Sequence, residues 1–132
     1  MSLVVDTSAW VAILFREPER DTYTRMLVGA DQVLVSGVTL VEAGIVVASR
    51  LGPAGSERLA ALLSELHVRT VAFDADQARL AVEAFRRFGK GRHRAALNLG
   101  DCCSYAAARG LNLPLLFKGD DFGHTDIVPA AP

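Results

Sequence analysis

The chain has 132 residues, 51% apolar and 22% charged, with a net charge of −1. That length suits one domain, 1–132, with a sizeable core, and the charge balance excludes a protein that holds polyanions by bulk charge alone. Cys102 and Cys103 are adjacent, which excludes a disulfide framework and a CxxC site; they read as buried thiols in a reducing cytoplasm.

Leu3-Val4-Val5 predicts a buried strand that stops at Asp6, with Thr7 or Ser8 able to cap a helix from Trp10 to Phe15. This apolar start contains Asp6, has no basic leader and is shorter than the roughly 20 residues of a membrane span. A soluble, cytoplasmic chain with no membrane partner is therefore expected. Pro18 opens a second helix toward Leu27. Gln32 to Ser36 is a second strand, ended by Gly37, and Thr39 to Arg50 is a helix without a polar face. Such a helix is buried or lies at a subunit interface.

Gly52-Pro53 breaks that helix, and Ser56 opens the next one, with Leu59, Leu62, Leu63 and Leu66 on one face. Val68 to Phe73 is a third strand. Asp74 and Gln77 have capping-box spacing before a helix whose inner stripe is Ala78, Ala81, Val82, Phe85 and Phe88. A basic loop follows, then a helix from Gly100 to Arg109 stopped by Gly110. Pro114 to Phe117 is a fourth strand, and Asp126 to Val128 a short fifth. Strands alternate with helices and are continuous apolar runs. The expected fold is therefore α/β: one parallel sheet of four to five strands with helices on both faces.

Three carboxylates stand alone in this pattern. Asp6 is the only charged side chain from Met1 to Phe15, Glu42 from Gln32 to Ser49, and Asp101 from Ala95 to Ala108. These stretches hold 47 of the 132 residues but 3 of the 29 charged ones, and carboxylates are rarely buried without a partner. Asp6, Glu42, Asp101 and the pair Asp120-Asp121 all fall near the carboxyl ends of predicted strands, where such sheets bind ligands. Two carboxylates about 5 Å apart repel by roughly 3 kcal/mol at an effective dielectric near 20. A divalent cation removes the conflict, and oxygen-only ligands favour Mg²⁺ or Mn²⁺. Taken singly, Asp6 and Asp101 also read as helix N-caps, and Glu42 as the partner of a distant arginine.

Arg86, Arg87, Lys90, Arg92, His93 and Arg94 crowd into nine residues just before Asp101. They read either as a solvated helix end or as a rim that contacts a phosphate backbone, with Lys90, Arg92, His93 and Arg94 as the contacts.

Four segments carry a resemblance: VVDTSAW at Val4 to Trp10, TLVEA at Thr39 to Ala43, LNLGDC at Leu97 to Cys102, and LLFKGDDFGHTDI at Leu115 to Ile127. In their order and spacing the chain resembles the PIN-domain ribonucleases, and among them the VapC toxins of toxin–antitoxin systems. The resemblance implies a Mg²⁺- or Mn²⁺-dependent endoribonuclease that arrests translation. It matches Asp6, Glu42 and Asp101 to the three core acids and Asp121, ahead of Asp120, to the fourth. Asp6 and Asp101 are the implied metal ligands. The same likeness matches Ser8 to the small hydroxyl residue that helps order the site and implies that Asp126 supports the site from behind. The resemblance also implies an RNA substrate, a homodimer, a VapB-type antitoxin, and operator DNA reached only through that antitoxin. Two rival readings are a phosphatase with Asp6 as nucleophile and a catalytically silent module that keeps the fold for binding. The phosphatase expects a DxD motif, and position 8 is Ser.

Overall fold

The computed structural model describes residues 1–131. Its elements are β1 (Leu3–Val5), α1 (Thr7–Leu14), α2 (Arg20–Gly29), β2 (Val33–Ser36), α3 (Gly37–Glu65), β3 (Arg69–Val71), α4 (Ala75–Phe88), α5 (Leu99–Leu111) and β4 (Leu115–Leu116), followed by a 3₁₀ turn at Asp121–His124. The four strands form one parallel sheet in the order β3-β2-β1-β4. The chain builds outward from β1 to β3, then crosses back to lay β4 on the other side of β1. The β1/β4 border is thus the point where the strand order reverses, and in open parallel sheets ligands bind at the strands' carboxyl ends at such a point.

The apolar runs divide between two faces with the two-residue period of a strand. Val4, Leu34 and Leu115 pack with α4 and α5. Leu3, Val5, Val33, Val35 and Leu116 pack with α1, α2 and part of α3. Burial on both faces explains why these strands read as unbroken apolar runs.

Several expectations change in detail. The second helix starts at Arg20 rather than Pro18. The third starts at Gly37, because Ser36 accepts the Val38 N–H and caps it. Helical hydrogen bonding then continues through the predicted break, but Gly52 has φ +64° and kinks the helix. The segments 37–51 and 53–65 are each too short to cross a bilayer, although α3 as a whole has the length and hydropathy to do so. Pro53 occupies the first turn of the second segment, so Ser56 is not its start.

The stripe on α4 is rotated from the predicted one. Gln77, Ala81, Ala84 and Phe88 face inward, whereas Val82 and Phe85 are exposed. They line a surface groove of about 600 Å³ with Val38, Phe73 and Leu99. The reason is close helix packing: a Cβ on Gly110 would stand 2.9 Å from Gln77 Nε2 and 3.2 Å from Leu80 Cδ1. Gly110 therefore serves the α4/α5 contact, and Asn112, at φ +54°, ends α5 instead. The predicted fifth strand is reduced to one parallel bridge between Leu115 and Pro129, made by Leu115 N–H to Val128 O and Ala130 N–H to Leu115 O, both 2.9 Å.

Candidate active site

Asp6 leaves β1 at the switch point, where its N–H donates to Leu116 O of β4 at 2.9 Å. Its side chain is 4% exposed and takes three hydrogen bonds. Ser8 N–H (3.0 Å) and Ser8 Oγ (2.7 Å) donate to Oδ2. Ser104 Oγ donates to Oδ1 at 2.5 Å. Asp6 is indeed the N-cap of α1, and it is also the most buried of the acids grouped here. Ser8 is fixed in turn by the Lys118 N–H, which donates to its Oγ at 2.9 Å.

Glu42 lies in the second turn of α3, and its Oε1 accepts from Thr7 Oγ1 at 2.5 Å. Its partner is thus a hydroxyl of α1 rather than a distant arginine. Gly100, at the start of α5, is pressed against this carboxylate: a Cβ there would stand 2.5 Å from Oε2 and 2.6 Å from Oε1. Asp101 follows in the first turn of α5. The N-cap is Asn98, and Asp101 Oδ2 accepts the Asn98 N–H in a reciprocal capping box.

Burial pushes the Asp101 carboxyl up to about 6, the Asn98 N–H opposes that shift, and the charges of Asp6, Asp121 and Glu42 add to it. Of the adjacent pair Asp120 and Asp121, only the charge of Asp121 contributes to that shift. No ion pair reaches Asp6, Glu42, Asp101, Asp120 or Asp121 among the described residues. Lys118, the cation that follows β4, is held away from them by Glu17 (2.9 Å) and Glu19 (3.1 Å).

No three Asp, Glu, His or Cys side chains among the described residues stand close enough to enclose a metal ion. Mg²⁺ does not require that, because it usually keeps several waters and takes one or two carboxylates directly. Four unpaired carboxylates, oxygen donors throughout and two of them steadied by hydroxyls, fit such an ion.

The raised pKa sets a testable pH dependence. Between about pH 4 and 6 the folded chain holds an Asp101 proton that the unfolded chain has lost. This group's contribution to metal-free stability therefore falls as pH rises through that window. A divalent cation competes with the same proton. Mn²⁺ is expected to raise the melting temperature by several degrees at pH 7.5 and by clearly less at pH 5. Equal increments in a thermal-shift series would contradict the placement of Asp101 at the cation site.

Asp126 has hydrogen-bond and ion-pair partners of its own, apart from the other acids. It accepts from Tyr105 Oη at 2.7 Å and lies 3.6 Å from Arg87 and 3.8 Å from Arg109. Tyr105 and Arg109 sit progressively farther along α5 from Asp101, so Asp126 ties the C-terminal segment to α4 and α5. The basic loop joins α4 to the start of α5, on the side of Asp101. Lys90, Arg92 and Arg94 are exposed there. His93 turns inward: its Nδ1 accepts the Ala95 N–H at 3.0 Å, and its ring meets Phe88 edge-on at 5.2 Å. It shapes the loop beneath the three cations.

Sequence reasoning missed Ser104, Thr39 and Thr7. Ser104 and Thr39 are almost completely buried, 3.1 Å apart. The available signal was spacing, since Ser104 lies three residues after Asp101 and so shares its helix face.

The PIN domain family model matches residues 3–128. The chain is 46% identical over 130 residues to the VapC ribonuclease Mb0640 of Mycobacterium bovis, covering 98% of each chain. It is also 46% identical over 125 residues to the ribonuclease VapC of Mycolicibacterium smegmatis, covering 95% of this chain and 97% of the relative. Among solved structures, Mycobacterium tuberculosis VapC20, a sarcin–ricin loop cleaving toxin, superposes with a TM-score of 0.80 at 24% identity, over 98% of this chain and 99% of that one. VapBC2 from Rickettsia felis, bound to a DNA fragment from its promoter, gives 0.77 at 16% identity, over 98% and 96%.

Proposed function

Because the chain belongs to the PIN-domain family and is closely related to VapC ribonucleases, we propose that it is the ribonuclease toxin of a VapBC-type toxin–antitoxin pair, hydrolysing RNA phosphodiester bonds and so arresting translation. The observation that carries this reading is the set Asp6, Glu42, Asp101 and Asp121, unpaired by any cation, whose mutual repulsion contributes to the raised Asp101 pKa. Such a set is costly to keep unless a divalent ion and a phosphate use it.

Asp6 and Asp101 hold Mg²⁺ or Mn²⁺. A bound ion would supply an activated water and charge neutralisation at the phosphate. Thr7 fixes the Glu42 carboxylate, and Glu42 with Asp121 completes the pocket and orients the water. Ser8 holds Asp6 through both its N–H and its hydroxyl. Lys90, Arg92 and Arg94 place the RNA backbone, with His93 shaping the loop below them. Asp120 stands in the turn beside Asp121 and has no role of its own in the cleavage.

The partners follow from the relatives and from the surface. A VapB-type antitoxin covers the active site, two copies of the chain form a dimer, and operator DNA is bound through the antitoxin. The groove lined by Phe73, Val82, Phe85 and Leu99 and the exposed Val41 and Ile45 give these partners apolar surface to cover. A proposed RNA target and two free, buried thiols support a cytoplasmic site of action. The phosphatase reading loses ground, because Ser8 stands where that chemistry needs a second acid and is fully engaged with Asp6. Induction of the chain in cells, followed by sequencing of new RNA 5′ ends, tests the proposal: discrete, reproducible cleavage sites are expected, and an unchanged set of RNA ends would overturn it.

A further inference from the structure

Ionised Asp6 offers about four lone-pair positions, two on each oxygen. Ser8 N–H and Ser8 Oγ fill both on Oδ2. Ser104 Oγ takes one on Oδ1. One position remains, on Oδ1. A carboxylate only accepts, so the single Ser104 hydroxyl proton is committed to Asp6. The 3.1 Å contact between Ser104 Oγ and Thr39 Oγ1 must then run from Thr39 to Ser104. The result is a directed relay from Thr39 to Ser104 to Asp6, buried throughout, where each donor polarises the next.

We infer that Ser104, oriented by Thr39, is a positioning residue that makes Asp6 present one Oδ1 lone pair toward the cation site. This rests on the reading of Asp6 as a metal ligand. Three features favour positioning over plain core filling. The relay joins three separate elements, α3, α5 and the end of β1. Ser104 lies one turn from Asp101, so one helix face serves both acids. Without Ser104, Oδ1 would have two open positions and the carboxylate could turn about its Cβ–Cγ bond.

The test uses Mn²⁺ binding to the full metal-free chain, followed by calorimetry or by the spin-resonance signal of free Mn²⁺, beside RNA cleavage kinetics. Ser104→Ala is expected to weaken Mn²⁺ binding about 10- to 100-fold, as removal of such supporting donors typically does, and to lower kcat with KM for RNA little changed. Ser104→Thr, which keeps the hydroxyl donor, is expected to restore most of that binding. Thr39→Val, which leaves Ser104 in place, is expected to weaken binding by a smaller factor than Ser104→Ala. Ser36→Ala is the structural control: it removes another buried serine that caps a helix but does not touch Asp6, and Mn²⁺ binding is expected to stay at the parent value. Undiminished Mn²⁺ affinity in folded Ser104→Ala overturns the inference, and if that variant does not fold, undiminished affinity in Thr39→Val does. A parent chain that binds Mn²⁺ and depends on Ser104 to do so, yet cleaves no RNA, supports the inference and overturns only the ribonuclease reading. A parent chain that binds no Mn²⁺ overturns both.

Discussion

Asp6→Asn is expected to lower Mg²⁺-dependent RNA cleavage at least about a thousandfold, the equivalent of roughly 4 kcal/mol of transition-state stabilisation, while circular dichroism and the folded state persist. The substitution is isosteric, and the surrounding hydrogen bonds can reverse to accept it. An asparagine carbonyl keeps the Ser8 N–H that caps α1, and asparagine is a good N-cap. Its amide then faces Ser104, whose hydroxyl can accept from that amide and donate to Thr39 instead. What cannot be restored is the open lone pair: an N–H replaces it and points at the cation site. A folded Asp6→Asn chain that still cleaves RNA at the parent rate would remove Asp6 from the chemistry. Growth arrest that persists in the same variant would sink cleavage as the cause of toxicity.

The second large effect comes from a residue with no functional group. Gly100→Ala is expected to cut cleavage about 10- to 100-fold, the loss typical when a group that supports a metal site is displaced. Stability should change by no more than about 1 kcal/mol, because alanine is the better helix former. The new Cβ would lie within 2.8 Å of three Glu42 side-chain atoms, Oε2, Oε1 and Cδ. A carboxylate at the end of a flexible chain moves more cheaply than a helix. Glu42 therefore gives way and loses the Thr7 hydrogen bond. Parent-level cleavage together with a raised melting temperature would show that Glu42 tolerates displacement and has no fixed task.

These two residues illustrate what a reader of the sequence could and could not see. Asp6, Glu42 and Asp101 were visible because each is the lone charge in a long apolar stretch, and isolation of that kind needs no neighbours to be noticed. Asp121 was harder, because Asp120 has the same chemistry one position away; the choice turns on which of the two faces Asp101, a matter of three-dimensional placement. The strands were legible because burial on both faces writes itself as unbroken Val and Leu runs. The orientation of α4 was not. Ala78, Val82 and Phe85 make as good an apolar stripe as the one used, and only close approach to Gly110 turns Gln77 and Ala84 inward. The partners of Asp126 were not legible either: the 3₁₀ turn at Asp121–His124 brings it to Tyr105, Arg87 and Arg109. Ser104 and Thr39 left almost no trace, since a hydroxyl inside an apolar helix looks the same whether it idles or steadies a catalytic carboxylate.

Four unpaired carboxylates at the β1/β4 switch point are proposed to make the chain a cation-dependent ribonuclease. The most direct measurement is cleavage of a defined RNA by the purified, antitoxin-free chain, beside Asp6→Asn, in Mg²⁺, in excess EDTA, and after Mg²⁺ is restored. Cleavage that requires Mg²⁺, stops in EDTA, returns with Mg²⁺ and is absent from Asp6→Asn is the expected result. Cleavage that continues unchanged in EDTA, or that proceeds equally in the folded Asp6→Asn chain, would contradict it.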